Sequence, residues 1–403
     1  MRAINYGWIF SLFLLPFSGV AQNVMTSSPY SMFGVGEIMT GLHGANAGMG
    51  GVAIGMRGKM LINTDNPAGL TGLDTCRLFA EASAFAKWES YRSKGGENQA
   101  FTGNFSRFAL AGRVMPCWYM AAGLAPYSSV GYYFQSTQEL EGAPGSYYTS
   151  TFSGDGGLSK AYLSNAFQLL PSLSVGVNLG YIFGNMTQTE AQSTMSVSQK
   201  LSGQSFSADF GMQYSRRLRR ELNLTLGVVY GLPQTIRMEK TKTITESSSE
   251  YSYNMKRVSQ TLPQYVGGGV SVEYKKMTYA LDYLFRQYGS LTSADSRVTF
   301  HDSHELRAGI CYFPDGYSSS GIWKRMDYKV GVGLSSPFYM QIRGQSGLSW
   351  RVSAGLGFPL MNGRLHTSFF YDRVDLDGRM LKRGITGFSV TYTLSELFYK
   401  VKL

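Results

Sequence analysis

Three short motifs and three cysteines in the 403-residue chain carry residue types that could do chemistry. Gly48-Met49-Gly50-Gly51-Val52-Ala53 fits the G-x-G-x-x-A spacing of a dinucleotide-binding turn. That spacing works only after a buried strand and before a helix. Thr40–Ala47 is not an apolar strand and no βαβ unit follows, so no cofactor is expected. His301-Asp302-Ser303-His304 has the side chains of a metal pair or a Ser/His group. On a strand, residues i and i+3 face opposite ways, and no third ligand is identifiable. A polar strand end is the simpler reading, and no metal is expected. Asp375-Leu376-Asp377-Gly378 begins like a calcium loop without its remaining ligands, which reads as a polar external turn. Cys76, Cys117 and Cys311 are odd in number and far apart, so a disulfide framework is not expected. No G-x-S-x-G elbow occurs, and catalytic residues are not expected: the chain does not read as an enzyme.

The elements that would position such groups are strands. Charged residues make up 16% of the chain, while Gly (48), Tyr (27) and Phe (24) are abundant, a balance that suits strands better than helices. The net charge of +11 first suggests nucleic acid, but the basic residues are scattered. The one dense run, Arg216-Arg217-Leu218-Arg219-Arg220, falls at an expected turn, where it is solvated or meets anionic lipid heads. Residues 1–21 read as a secretory leader: Arg2, the apolar Trp8–Phe17, and a small-residue cleavage site at Gly19-Val20-Ala21. No later run is apolar enough for a transmembrane helix.

From about residue 76 the chain alternates with a period of two. Leu173, Val175, Val177, Leu179, Tyr181 and Phe183 interleave with Ser174, Gly176, Asn178, Gly180, Ile182 and Gly184. Leu222–Leu232 and Leu348–Phe358 repeat the pattern. Such runs last roughly ten residues, the length of a tilted membrane strand rather than of the usual soluble strand. The count is fourteen, at about 77–91, 98–114, 117–135, 147–170, 172–197, 201–217, 220–247, 250–275, 276–290, 299–314, 325–340, 346–359, 362–376 and 382–395. Mostly tight turns alternate with a set that includes longer polar loops, as in an outer-membrane barrel. The expected fold is all-β: a transmembrane antiparallel barrel (76–403) of about fourteen strands, preceded by a lead-in and lumenal plug at 22–75. Pro126 and Pro263 each interrupt a strand, marking bulges, wall openings, or strands that project beyond the membrane.

The second face of these strands is charged. Asp209, Glu273, Asp282, Arg286, Glu305, Arg307, Arg325, Asp327, Lys329, Arg351, His366 and Asp372 all lie opposite the apolar side. Inside a barrel they can pair across strands. Asp282, Arg286, Glu305, Arg307, Asp327 and Arg351 are the expected lumen polar network, read either as structural bracing or as a path for a polar solute.

Gly44–Leu70 is glycine-rich, too broken for a long helix, and ends in the turn Asn66-Pro67-Ala68-Gly69-Leu70. The small-residue stretch Gly48–Ala53 followed by this Asn-Pro-Ala element resembles the long-chain fatty acid transporter (FadL) family of outer-membrane proteins. Ser28-Pro29-Tyr30-Ser31-Met32-Phe33-Gly34-Val35-Gly36 resembles its divergent Bacteroidetes members. The resemblance implies a fourteen-stranded barrel closed by an N-terminal hatch, with Gly48, Gly50, Gly51, Asn66, Pro67 and Ala68 as hatch residues. It implies outer-membrane transport of hydrophobic, fatty-acid-like compounds through the plugged barrel. The alternative is a FadL-like barrel serving as accessory or scaffold of a secretion or surface-attachment system. A barrel enzyme acting on envelope lipids would need a Ser/His/acid group, and only His301–His304 offers a start. Expected partners are outer-membrane lipid and lipopolysaccharide, a hydrophobic small molecule and the barrel-assembly machinery, with a secretion partner under the alternative.

Overall fold

The computed structural model describes residues 28–39, 44–93, 96–140, 142, 145–246, 249–291, 298–314, 321–336, 340–342, 347–376 and 382–397. A two-residue strand, β1 (Glu37–Ile38), precedes the barrel. The wall then runs β2 (Arg77–Ser93), β3 (Gly96–Met115), β4 (Trp118–Glu139), β5 (Tyr147–Leu170), β6 (Leu173–Gln192) and β7 (Met195–Arg219). It continues through β8 (Leu222–Gly231), β9 (Gln234–Glu246), β10 (Ser249–Leu262), β11 (Tyr265–Tyr274) and β12 (Met277–Arg286). A small outer strand, β13 (Val298–Phe300), intervenes before β14 (Ser303–Tyr312) and β15 (Asp327–Ser335). Its partner β16 (Met340–Ile342) precedes β17 (Gly347–Leu360), β18 (Gly363–Leu376) and β19 (Lys382–Leu397).

β8 and β9 are one wall strand broken at Pro233, and β10 and β11 one broken at Pro263, which makes fourteen. Neighbours in the wall pair antiparallel, and β19 pairs with β2 from Lys382↔Arg92 to Leu397↔Arg77, closing the barrel. On β6 the alternation separates two solvents: Leu179 is 50% exposed outside, while Ser174 and Asn178 are buried inside. This is an integral outer-membrane barrel.

Two expectations about segments need correction, and Pro126 takes the bulge offered for it. The segments at 220–247 and 250–275 are each two strands, because a proline has no N–H to give the ladder. The segment at 325–340 begins instead with a short helix, Ile322–Arg325, so Arg325 is not on a barrel strand. At Pro126 the wall does not break: β4 continues with a bulge between Pro126 and Ser128. The β3 pairing of β4 has already ended at Leu124, so part of the ladder there demands no donor from Pro126. The leader, Asp377-Gly378 and residues 398–403 lie outside the described residues.

The wall is uneven in height. β7 has 25 residues and β5 has 24, whereas β12 and β14 have 10 each. At about 3.3 Å per residue and a 45° tilt, β7 spans nearly 60 Å and β12 about 23 Å, against an apolar band of ~25 Å. The tall side projects beyond the end with long connections, which is the outer end by the usual asymmetry of such barrels.

Candidate functional site

The lumen is filled from the inside by residues 28–39 and 44–75. The upper part is apolar. Val35 packs with Val130, Leu158, Ile182, Met186 and Ile236, a fully buried cluster inside the wall. Glu37 pairs with Arg383 at 2.7 Å, and Ser31 donates to Gly131 O at 3.1 Å.

The lower segment is bonded to the wall on several sides. Gly48 lies against β17: a Cβ there would sit 2.7 Å from Gly355 Cα. Gly50 has φ +72°, which L side chains avoid, and its N–H donates to Ser353 Oγ at 2.8 Å. Gly51 O accepts from Arg307 at 2.9 Å. The next turn exposes a row of backbone donors, and Asp282 takes them: Ala53 N at 2.6 Å and Ile54 N at 2.8 Å, with Gly55 N at 3.4 Å. Gln213 donates to Ile54 O and Met56 O from the β7 side, at 3.0 and 3.1 Å. Asn66 caps the 3-10 turn Pro67–Gly72 by accepting from Ala68 N. Its Nδ2 donates to Ile54 O at 2.8 Å and reaches Met212 O in β7 at 3.3 Å. The six residues singled out in this segment, Gly48, Gly50, Gly51, Asn66, Pro67 and Ala68, are therefore all buried where wall and segment meet.

The six lumen charges do not form one network. Glu305 is held by Arg286 at 3.0 Å and Arg307 at 2.6 Å, and Asp282 sits on the segment beside them. Asp327 belongs to a separate group, with Lys329 and Arg364 both at 2.7 Å and His366 at 3.8 Å. Lys329 also donates to Ala45 O at 2.9 Å. Arg351 forms a third group, two parallel hydrogen bonds to Asp372 across β17 and β18 at 2.6 and 2.7 Å.

Sequence reasoning missed the groups on β2. Glu81 pairs with Arg107, which also donates to Ile62 O at 3.2 Å and Thr64 Oγ1 at 3.1 Å. Lys87 and Arg383 share Glu89. The signal was present: Glu81, Ser83, Lys87 and Glu89 fall at odd positions opposite Ala80, Ala82, Ala84, Ala86 and Trp88. Small alanines on the lipid side made that face too weakly apolar to notice. His304 Nδ1 meets Tyr283 OH at 2.8 Å and His301 Nε2 meets Thr299 at 3.4 Å, so the described partners of the two imidazoles differ. The three cysteines are free thiols.

Between the upper and lower segments lies a cavity of about 230 Å³, lined among others by Arg107, Lys160, Asp209, Arg286, Tyr162 and Tyr265. The wall beside it is weakened. The β7–β9 ladder stops at Gln204 and the β7–β8 ladder starts at Asp209. Between them, Leu232 N donates to Ala208 O at 3.1 Å and Ser205 Oγ to Thr235 O at 2.9 Å. Outside this gap is a groove of about 600 Å³ whose walls include Leu163, Leu179, Tyr181, Phe206 and Pro233. Tyr162 lines both spaces, and its hydroxyl is buried with no hydrogen-bond partner, as is Ser207 Oγ.

The family model of BamG matches residues 4–400, so the chain belongs to the BamG family. No curated protein matches it in sequence. Among solved structures it is similar to the Pseudomonas putida toluene transporter TodX (14% identity, TM-score 0.61, covering 90% of this chain and 98% of that one). It is also similar to the CymD monoaromatic hydrocarbon channel (14%, 0.57, 90% and 99%). A Pseudomonas aeruginosa FadL homologue is similar at 11% identity and TM-score 0.59, covering 88% and 98%. At these identities the likeness is one of fold: a FadL-type outer-membrane barrel.

Proposed function

We propose that this BamG-family barrel acts as a closed, membrane-embedded component of the barrel-assembly machinery. The family's name points to that machinery, and one observation supports the closed state. Residues 44–75 are fastened to the inner wall by Asp282, Arg307, Gln213, Lys329 and Arg107, all of them buried. Moving such a segment means breaking charge-assisted hydrogen bonds worth about 1.5–3 kcal/mol each. A plug so held favours a rigid body over a passage that opens on each transport cycle. Residues 1–21 serve as the export leader, 22–75 as the lead-in and hatch, and the tall β4–β10 wall offers neighbours a large outer surface. Affinity purification of the full-length protein from native membranes in mild detergent tests this. Recovery of other assembly-machinery proteins in near-equal amounts supports it, and recovery of the barrel alone counts against it.

A second reading, transport of small hydrophobic molecules, is favoured by the weakened wall at residues 205–208. An apolar molecule from the outer groove would pass Tyr162 to reach the lumen cavity. The fold relatives named for toluene and monoaromatic hydrocarbons make this the natural competitor. A cavity of about 230 Å³ lies below the ~300–1,000 Å³ of drug-sized sites, so it fits a single small ring better than a long acyl chain. Mass spectrometry of molecules extracted from the purified protein, beside a variant lacking 44–70, separates these. Aromatic compounds or fatty acids retained only by the intact protein would support transport.

A further inference from the structure

At the end of the barrel with the short turns, a groove of about 450 Å³ opens between the lumenal segment and the wall. Lys59 and Asp74 of the segment form one side; the turn Leu360–Gly363 and the end of β19 form the other. Four basic side chains line it: Lys59, Arg77, Arg325 and Arg364. Its two carboxylates on this face already have partners. Asp74 pairs with Arg77 at 3.4 Å, and Glu396 accepts from Asn362 at 3.0 Å. Arg77 also donates to Ser395 Oγ at 2.9 Å. At the back, Arg364 is tied to Asp327 at 2.7 Å. Lys59 is exposed and forms no ion pair among the described residues, while Arg325 Nε is buried with no hydrogen-bond partner.

The lip of the groove is apolar and uncovered among the described residues: Leu360 is 46% exposed, Leu397 60% and Met361 88%. A cationic groove under an apolar ledge at the membrane boundary has the polarity of a phospholipid, with phosphate below and acyl chain alongside. The surrounding rim repeats this chemistry. Arg216, Arg217, Arg219, Arg220, Lys275 and Lys324 are all exposed at the same end. Trp323, Tyr274 and Tyr312 stand beside them, the residue types that settle at a membrane interface. Basic charge spread around a circumference matches a lipid leaflet, whereas an acidic protein partner would call for one concentrated patch.

We propose that this groove seats the phosphate headgroup of an anionic phospholipid of the periplasmic leaflet, with Lys59 and Arg325 as its ligands. Because Lys59 belongs to the lumenal segment and Arg325 to the rim, the bound lipid ties the one to the other.

The test is native mass spectrometry of the full-length protein in detergent micelles doped with phosphatidylglycerol or phosphatidylcholine. The Lys59→Gln/Arg325→Gln double variant and a remote Arg217→Gln/Arg219→Gln variant are compared with wild type. Wild type should retain phosphatidylglycerol about tenfold better than phosphatidylcholine, the scale of one charge-assisted hydrogen bond. The double variant should lose that preference and the remote variant keep it. Lys59→Gln alone, at an exposed position, should lower the preference if the double variant folds poorly. Equal retention of both lipids would overturn the proposal. So would an equal loss in the remote variant, which would mean a diffuse rim effect without a seat. Full displacement of the lipid by millimolar inorganic phosphate would assign the groove to free phosphate instead.

Discussion

Asp282 is the acceptor on which the turn at residues 53–55 depends. Its two short hydrogen bonds, 2.6 Å from Ala53 N and 2.8 Å from Ile54 N, join a carboxylate to backbone donors in a closed lumen. Hydrogen bonds to a charged group contribute roughly 1.5–3 kcal/mol each, so Asp282→Ala should cost the local structure about 3–6 kcal/mol. The contact at 3.4 Å from Gly55 N is too long to add much. At about 1.4 kcal/mol per tenfold, that cost is a ~10²- to 10⁴-fold loss of amide protection. Hydrogen exchange followed by mass spectrometry would read it at residues 53–55. The barrel strands should keep their protection, because their ladders do not pass through Asp282. Arg351→Gln is the control: its ion pair joins β17 to β18, so protection at 53–55 should stay within about threefold. Protection in Asp282→Ala within threefold of wild type would show instead that Gln213, Arg307 and Lys329 suffice to hold the turn.

Gly48→Ala would place a methyl group 2.7 Å from Gly355 Cα, and overpacking of that kind costs about 1–3 kcal/mol, which should lower the temperature of the heat-induced gel shift. Arg107→Ala leaves Glu81 buried without its cation, at a cost of about 3–5 kcal/mol, and folding yield in detergent should fall sharply. Replacing both Arg107 and Glu81 by Leu should restore much of that yield, since an uncompensated charge, rather than the missing pair, is the main penalty. Tyr162→Phe removes a buried hydroxyl that has no partner, so thermal stability should hold or rise slightly; a drop of several degrees would reveal an unseen partner.

Much of the fold was legible because a period of two survives local noise. Leu173 to Phe183 and Leu348 to Phe358 face lipid as their alternation required, and the lumenal charges lie on the other face. The Asn66-Pro67-Ala68 turn was equally legible, since an Asx cap followed by a proline specifies its own backbone. Pairings were less so. Periodicity assigns a face, but partners depend on register. Asp282 stands opposite Arg307 in the ladder, yet its carboxylate turns to the lumenal segment, and Arg307 goes to Glu305 and Gly51. Arg351 and Asp372 are also ladder neighbours, and there the pair does form. Nothing in the alternation distinguishes the two cases; the backbone donors of residues 53–55 do, and they become visible only once the segment is inside the barrel. The prolines carry the same lesson. Pro126, Pro233 and Pro263 have one local chemistry, but whether the wall breaks depends on the ladder each one meets.

Depleting the barrel and quantifying the outer-membrane proteome over the following generations tests the proposed role in barrel assembly most directly. A barrel that serves assembly should, when depleted, let many unrelated barrel proteins decline together before growth stops. An unchanged set of barrel proteins, with loss only of uptake of a hydrophobic compound, would contradict it and establish the transport reading.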